Sequence, residues 1–137
     1  MADLLAGFPP SPVQVGGVQI NVRTAGRGPA VLLLHGYPES MTMWHRVAPS
    51  LAEDFTVVLA DLRGYGASDK PPSDGFDTYS KRTMGADMLG VMEALGHDRF
   101  AVVGHDRGGR VAHRMALDAA ERISAVAVLD IVPTLHM

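Results

Sequence analysis

Phe100-Ala101-Val102-Val103-Gly104-His105-Asp106-Arg107-Gly108-Gly109 runs from an apolar stretch into a carboxylate flanked by glycines. Residues 100–104 read as a buried strand and residues 107–121 as the helix that leaves it. Gly104-x-Asp106-x-Gly108 between them is the pattern of a tight strand-to-helix elbow that presents a nucleophile. Aspartate at such a junction is most often a helix N-cap, and taken alone Asp106 would be read that way. The flanking glycines, which permit the tight turn, and a His35-Gly36 turn upstream favour the nucleophile instead. A carboxylate in that position suits in-line attack on saturated carbon, leaving an ester on the protein, where a serine would attack an acyl carbon.

Outward from the elbow, strand and helix patterns alternate. Residues 18–24 alternate like an early antiparallel strand, and residues 26–29 carry turn types. Residues 30–34 are wholly apolar, as are most of 55–62, and both read as buried strands. Residues 41–54 set Trp44, Val47 and Leu51 at helical spacing, with Pro49 expected to kink or divide that helix. In residues 78–95, Met84, Met88, Val91, Met92 and Leu95 mark the core face of a helix that Gly96 should stop. A further apolar strand is predicted over residues 124–131. This order implies a parallel sheet with helices on both faces, and ligands bind such sheets at the carboxyl ends of the strands. His35, Asp106 and Asp130 all fall there.

The 137 residues are 47% hydrophobic, enough for one domain with a buried core. A net charge of −3 argues against a nucleic-acid or anionic-membrane surface and for a small-molecule partner. With no cysteine, thiolate metal sites, disulfides and thiol nucleophiles are excluded. No HExxH-type pairing is present, so neither metal nor cofactor is implied. The N-terminal segment lacks a signal-peptide pattern, which makes a cytoplasmic location the expectation. The apolar runs are strand-sized and too short to span a membrane.

The elbow, the Leu34-His35-Gly36-Tyr37-Pro38 turn, the Asp61-Leu62-Arg63-Gly64-Tyr65-Gly66-Ala67-Ser68 loop and Leu129-Asp130-Ile131-Val132-Pro133-Thr134 follow one another in the order found in α/β-hydrolases. From about Val13 to its end the chain resembles the fluoroacetate (haloacetate) dehalogenases. Gly104 to Arg110 is the most specific part, because related epoxide hydrolases usually carry Trp where Arg107 stands. The resemblance implies an α/β-hydrolase fold, truncated after the strand that follows the nucleophile helix. Residues 1–137 would form the N-terminal part of a single core domain, with the cap and the C-terminal part absent. It implies hydrolytic dehalogenation of short 2-haloacids, with Asp106 as nucleophile and Asp130 as the acid that orients a histidine base. The Tyr37 and Arg107 amides would form the oxyanion hole. Arg107, Arg110 and the turn residue His35 would serve substrate binding. The family's base lies in a loop well beyond residue 137.

Electrostatics supports the arginines independently. A substrate carboxylate about 4 Å from an Asp106 anion would meet on the order of 4 kcal/mol of repulsion at an effective dielectric of 20. Arg107 and Arg110, three apart on the first turn of a helix, share a face from which guanidinium forks could offset it. The alternative is that both are solvated or paired with surface acids. His45 and His113 fall on helices, His97 in a loop, and His105 should point away from the Asp106 carboxylate. His136 could fold back from the end of the chain. The 61–68 loop reads as structural, tied down by Arg63, and residues 69–75 as surface. Trp44 and Tyr65 could line a cleft, with packing the expected role. Two rival readings stay open: an epoxide hydrolase of the same mechanism, and a catalytically inactive fragment acting in assembly. The expected protein partner is a second copy, as a homodimer, or a complementary C-terminal fragment.

Overall fold

The computed structural model describes residues 3–75 and 77–131. Residues 13–26 form three short strands, β1 (Val13–Val15), β2 (Val18–Ile20) and β3 (Val22–Gly26), where one was predicted. The chain changes sheet at Asn21: its amide donates to Ser68 Oγ and its side chain to Asp61 Oδ2, both at 2.8 Å, so neither joins a strand ladder. β1 and β2 make a separate antiparallel pair.

β4 (Ala30–Leu34), β5 (Thr56–Ala60), β6 (Phe100–His105) and β7 (Ile123–Leu129) complete a five-stranded sheet in the order β3-β5-β4-β6-β7. Only β3 runs antiparallel to its neighbour; the other pairings are parallel. This is the mostly parallel sheet of an α/β-hydrolase fold.

Alternation along β4 and β5 sorts side chains to opposite faces, as the two-residue strand period requires. Leu32, Leu34, Val58 and Ala60 pack beneath α2 (Lys81–Ala94) and α3 (Arg107–Asp118), against Met84, Met88, Val91, Met92, Val111 and Met115. The methionine stripe is therefore core. Val31, Leu33, Val57 and Leu59 face the other way, onto Leu5, Phe8, Met41, Trp44 and Ala48.

Residues 41–54 divide into a 3-10 turn at Met41–Trp44 and the short α1 (Ala48–Leu51). Pro49 sits in the first turn of α1, where its missing N–H costs no hydrogen bond, so it starts a helix rather than kinking one. No helix among the described residues is long and apolar enough to cross a membrane.

Candidate active site

The buried half of the site is a polar scaffold around the 61–68 loop. Asp61 accepts from the Met41 amide at 2.8 Å, the Ala67 amide at 2.9 Å and the Asn21 side chain. Arg63 makes a bidentate pair with Asp87 on α2, Nε to Oδ2 at 2.6 Å and Nη2 to Oδ1 at 2.8 Å, and also donates to the Thr78 carbonyl at 3.1 Å. Both partners are buried, so the pair stands between the loop and α2 with little competition from water. The loop is thus tied down by Arg63 as its composition suggested. Its partner was not foreseen, because Asp87 lies within a helix read only for its apolar stripe.

His35, expected among the substrate-binding groups, is not among the residues that line the clefts at Arg107 and Arg110. Its ring is fully buried, Nδ1 donates to the Gly36 carbonyl at 2.9 Å, and Nε2 accepts from the Leu62 amide at 3.0 Å. Burial holds its pKa below the ordinary histidine value, which suits the neutral ring those bonds require. His35 instead couples the 35–38 turn to the 61–68 loop, and its ring lies edge-on to Tyr65 with centroids 5.1 Å apart.

Asp106 occupies the elbow at φ 54. A non-glycine residue in that region costs on the order of 1–3 kcal/mol, a strain tolerated where surrounding contacts over-determine it. Its amide donates to the Leu129 carbonyl at 3.1 Å, and its carbonyl accepts from the Gly109 amide at 2.9 Å. The neighbouring glycines are required by close approach: a Cβ on Gly108 would collide with the Leu34 and His35 carbonyls, and one on Gly36 with the Asp106 side chain.

The carboxylate is not used as a helix cap: no side-chain bond from Asp106 caps α3. Oδ2 instead accepts the Tyr37 amide at 3.0 Å across the sheet end. That amide, with a further contribution from the Arg107 amide and the nearby His105 and Arg107 charges, holds the Asp106 pKa below the ordinary carboxylate value. Burial opposes the shift without cancelling it. The result is an ionised, strained carboxylate with two backbone N–H groups beside it.

Arg107 is exposed above this carboxylate. Its guanidinium donates to Tyr65 Oη at 3.0 Å and lies 4.7 Å from the centroid of the Tyr37 ring. Tyr65 is therefore more than a packing group, since with Tyr37, Tyr79, Lys81, Met84 and Arg107 it lines a cleft of ≈ 310 Å³. Trp44, by contrast, is buried as expected. Arg110 opens instead onto a neighbouring cleft of ≈ 490 Å³, shared with Ser80, Lys81 and His113. The two arginines therefore open onto adjoining clefts that share Lys81.

Asp130 follows β7 at φ 58 with its side chain largely exposed, and its Oδ2 lies 3.7 Å from His105 Nε2. The other ring nitrogen of His105 is 3.1 Å from Glu39 Oε1, which also accepts the Gly36 amide. His105 thus sits between two acids. His136 lies outside the described residues. Lys81, at the junction of the two clefts, carried no sequence signal because it belongs to no motif and lies outside the apolar stripe by which its helix was read.

Residues 29–137 match the family model of the alpha/beta hydrolase fold. The chain is 53% identical to a fluoroacetate dehalogenase of Burkholderia sp. over 98% of its length and 44% of the relative's. It is 44% identical to a soluble epoxide hydrolase of Corynebacterium sp. (strain C12) over 88% of its length and 41% of that protein's. Among solved structures, an epoxide hydrolase, CorEH, superposes with a TM-score of 0.87 at 41% identity, covering 93% of this chain and 44% of that one. The chain therefore spans less than half the length of these relatives.

Proposed function

The chain belongs to the α/β-hydrolase family, and on that premise we propose that it carries the nucleophile half of an enzyme that hydrolyses short 2-haloacids. Asp106 Oδ1 attacks the halogen-bearing carbon in line, the C–halogen bond breaks, and halide leaves with the bonding pair. The product is an ester on Asp106. Water then adds to the ester carbonyl, whose oxygen is Oδ2, and the negative charge that develops there is held by the Tyr37 and Arg107 amides. Collapse releases the 2-hydroxyacid and regenerates the carboxylate. Arg107 and Arg110 hold the substrate carboxylate against the repulsion of Asp106. Asp130 orients a histidine base, which we assign to a group outside residues 3–131.

The observation that carries this reading is the state of Asp106: ionised, strained, aimed at the Tyr37 amide and free of any capping bond. The preference for an acid substrate rests on Arg107 beside Asp106 and Arg110 in the adjoining cleft, since an epoxide brings no charge to neutralise. Epoxide opening uses the same nucleophile, and the similarity to epoxide hydrolases keeps it as the second reading. Arg107→Ala separates them in an enzyme containing this half. A lost charge-assisted hydrogen bond costs about 1.5–3 kcal/mol, so haloacetate turnover should fall at least tenfold while turnover of a neutral haloalkane or epoxide holds. Equal losses on charged and neutral substrates would remove the carboxylate clamp from the account.

A further inference from the structure

Lys81 stands where electrostatics alone would not place a cation. It is the first residue of α2, directly after the N-cap Ser80, whose Oγ accepts from the Thr83 amide at 3.1 Å. A positive charge there opposes the helix dipole. The side chain is half-buried and lines both clefts, with Arg107 in one and Arg110 in the other. Among the described residues it forms no ion pair, although Arg82 beside it and Arg114 across the cleft both reach Asp118. Lys81 thus shares its surroundings with two guanidiniums, Arg107 and Arg110, and with the Asp106 carboxylate; burial first and then the two guanidiniums weaken the lysine's hold on its proton, and Asp106 opposes them. Adding one anion to this cluster relieves like-charge repulsion that the folded chain otherwise sustains.

We propose that Lys81 is a third substrate-binding cation, which with Arg110 receives the carboxylate of a short haloacid at the junction of the two clefts and passes it to Arg107 beside Asp106. The inference rests on the haloacid reading above and extends it to a residue on a different helix. A charged reagent should feel Lys81 and an uncharged one of the same shape should not.

Bromoacetate and bromoacetamide provide that pair, and the chain's lack of cysteine removes the commonest competing site of alkylation. The rate of adduct formation on Asp106 is followed by peptide mass spectrometry in the 137-residue chain and in Lys81→Gln, Lys81→Met and Lys81→Arg. Either neutral variant should slow bromoacetate labelling about fivefold at low ionic strength, with the difference shrinking in salt. Bromoacetamide labelling should not change, and Lys81→Arg should restore the bromoacetate rate. Equal slowing of both reagents would make Lys81 a structural residue and overturn the proposal. So would an unchanged bromoacetate rate in Lys81→Gln and Lys81→Met while Arg107→Ala slows it, an outcome that leaves the haloacid reading standing. If Arg107→Ala also fails to distinguish the reagents, or Asp106 is not labelled at all, the haloacid reading falls and the Lys81 proposal with it.

Discussion

Asp106 shows how far a single residue can be read before its surroundings are known. The glycines around it were legible as an elbow, and collisions predicted for any Cβ at Gly108 or Gly36 give the physical reason for them. What argues against a helix cap is the position of one carboxylate oxygen, and the Tyr37 amide that donates to it lies 69 residues away in sequence. A consequence follows for pH. The Tyr37 amide, ahead of the other causes, holds the Asp106 carboxyl below its ordinary value of 3.8, so the reactive anion persists as pH falls through that value. Labelling by an uncharged alkylating agent should fall with acid along a curve whose midpoint lies below 3.8. A decline centred at or above the ordinary value would show that the amide does not stabilise the anion. The orientation of the His35 ring was hidden for the same reason that Asp106 was ambiguous. Its place at a strand end was visible, but the direction of its ring depends on the Leu62 amide, 27 residues on.

Strands and helices were located from periodicity because each buries one stripe or face. The misplaced boundaries are those set by side-chain to backbone bonds, such as Asn21 parting β2 from β3. The same limit applies to Asp87, an acid inside the α2 core stripe whose partner comes from a loop 24 residues earlier. Removing one member of a buried ion pair strands the other without water. Asp87→Ala should therefore destabilise the chain by about 3–5 kcal/mol, read as a shift of the urea midpoint with little change in slope. Because the Arg63 loop also positions Tyr65, the hydrogen bond to Arg107 should weaken with it. A loss within the range of an ordinary surface substitution would mean that the pair does not organise the loop.

At the scale of the whole molecule, the sheet is covered unevenly. β7 is its edge strand among the described residues, and Val126, Val128 and Leu129 are 41%, 40% and 44% exposed. An apolar edge with unpaired backbone groups is a template for another strand. Light scattering should accordingly detect concentration-dependent association, reduced by Val126→Lys, with slowed hydrogen exchange over Ile123–Leu129 in the associated form. A monomer at high concentration would show that the edge is otherwise protected. The parallel character of the sheet was implied by alternating strands and helices, whereas its strand order was not, and the position of the cleft depends on α2 and α3 meeting at Lys81, Arg107 and Arg110, which no local pattern encodes. The assembled site has one central claim to meet: Asp106 is a carbon nucleophile, and alkylating it requires less than hydrolysing the ester that results. The direct measurement is intact and peptide mass spectrometry of the chain after exposure to bromoacetate, beside Asp106→Asn. The account predicts one carboxymethyl group, located on Asp106, absent from the variant and discharged only when a general base is supplied by the complementary C-terminal half of the family. Equal labelling of the Asp106→Asn chain, or label confined to histidine and methionine, would contradict it.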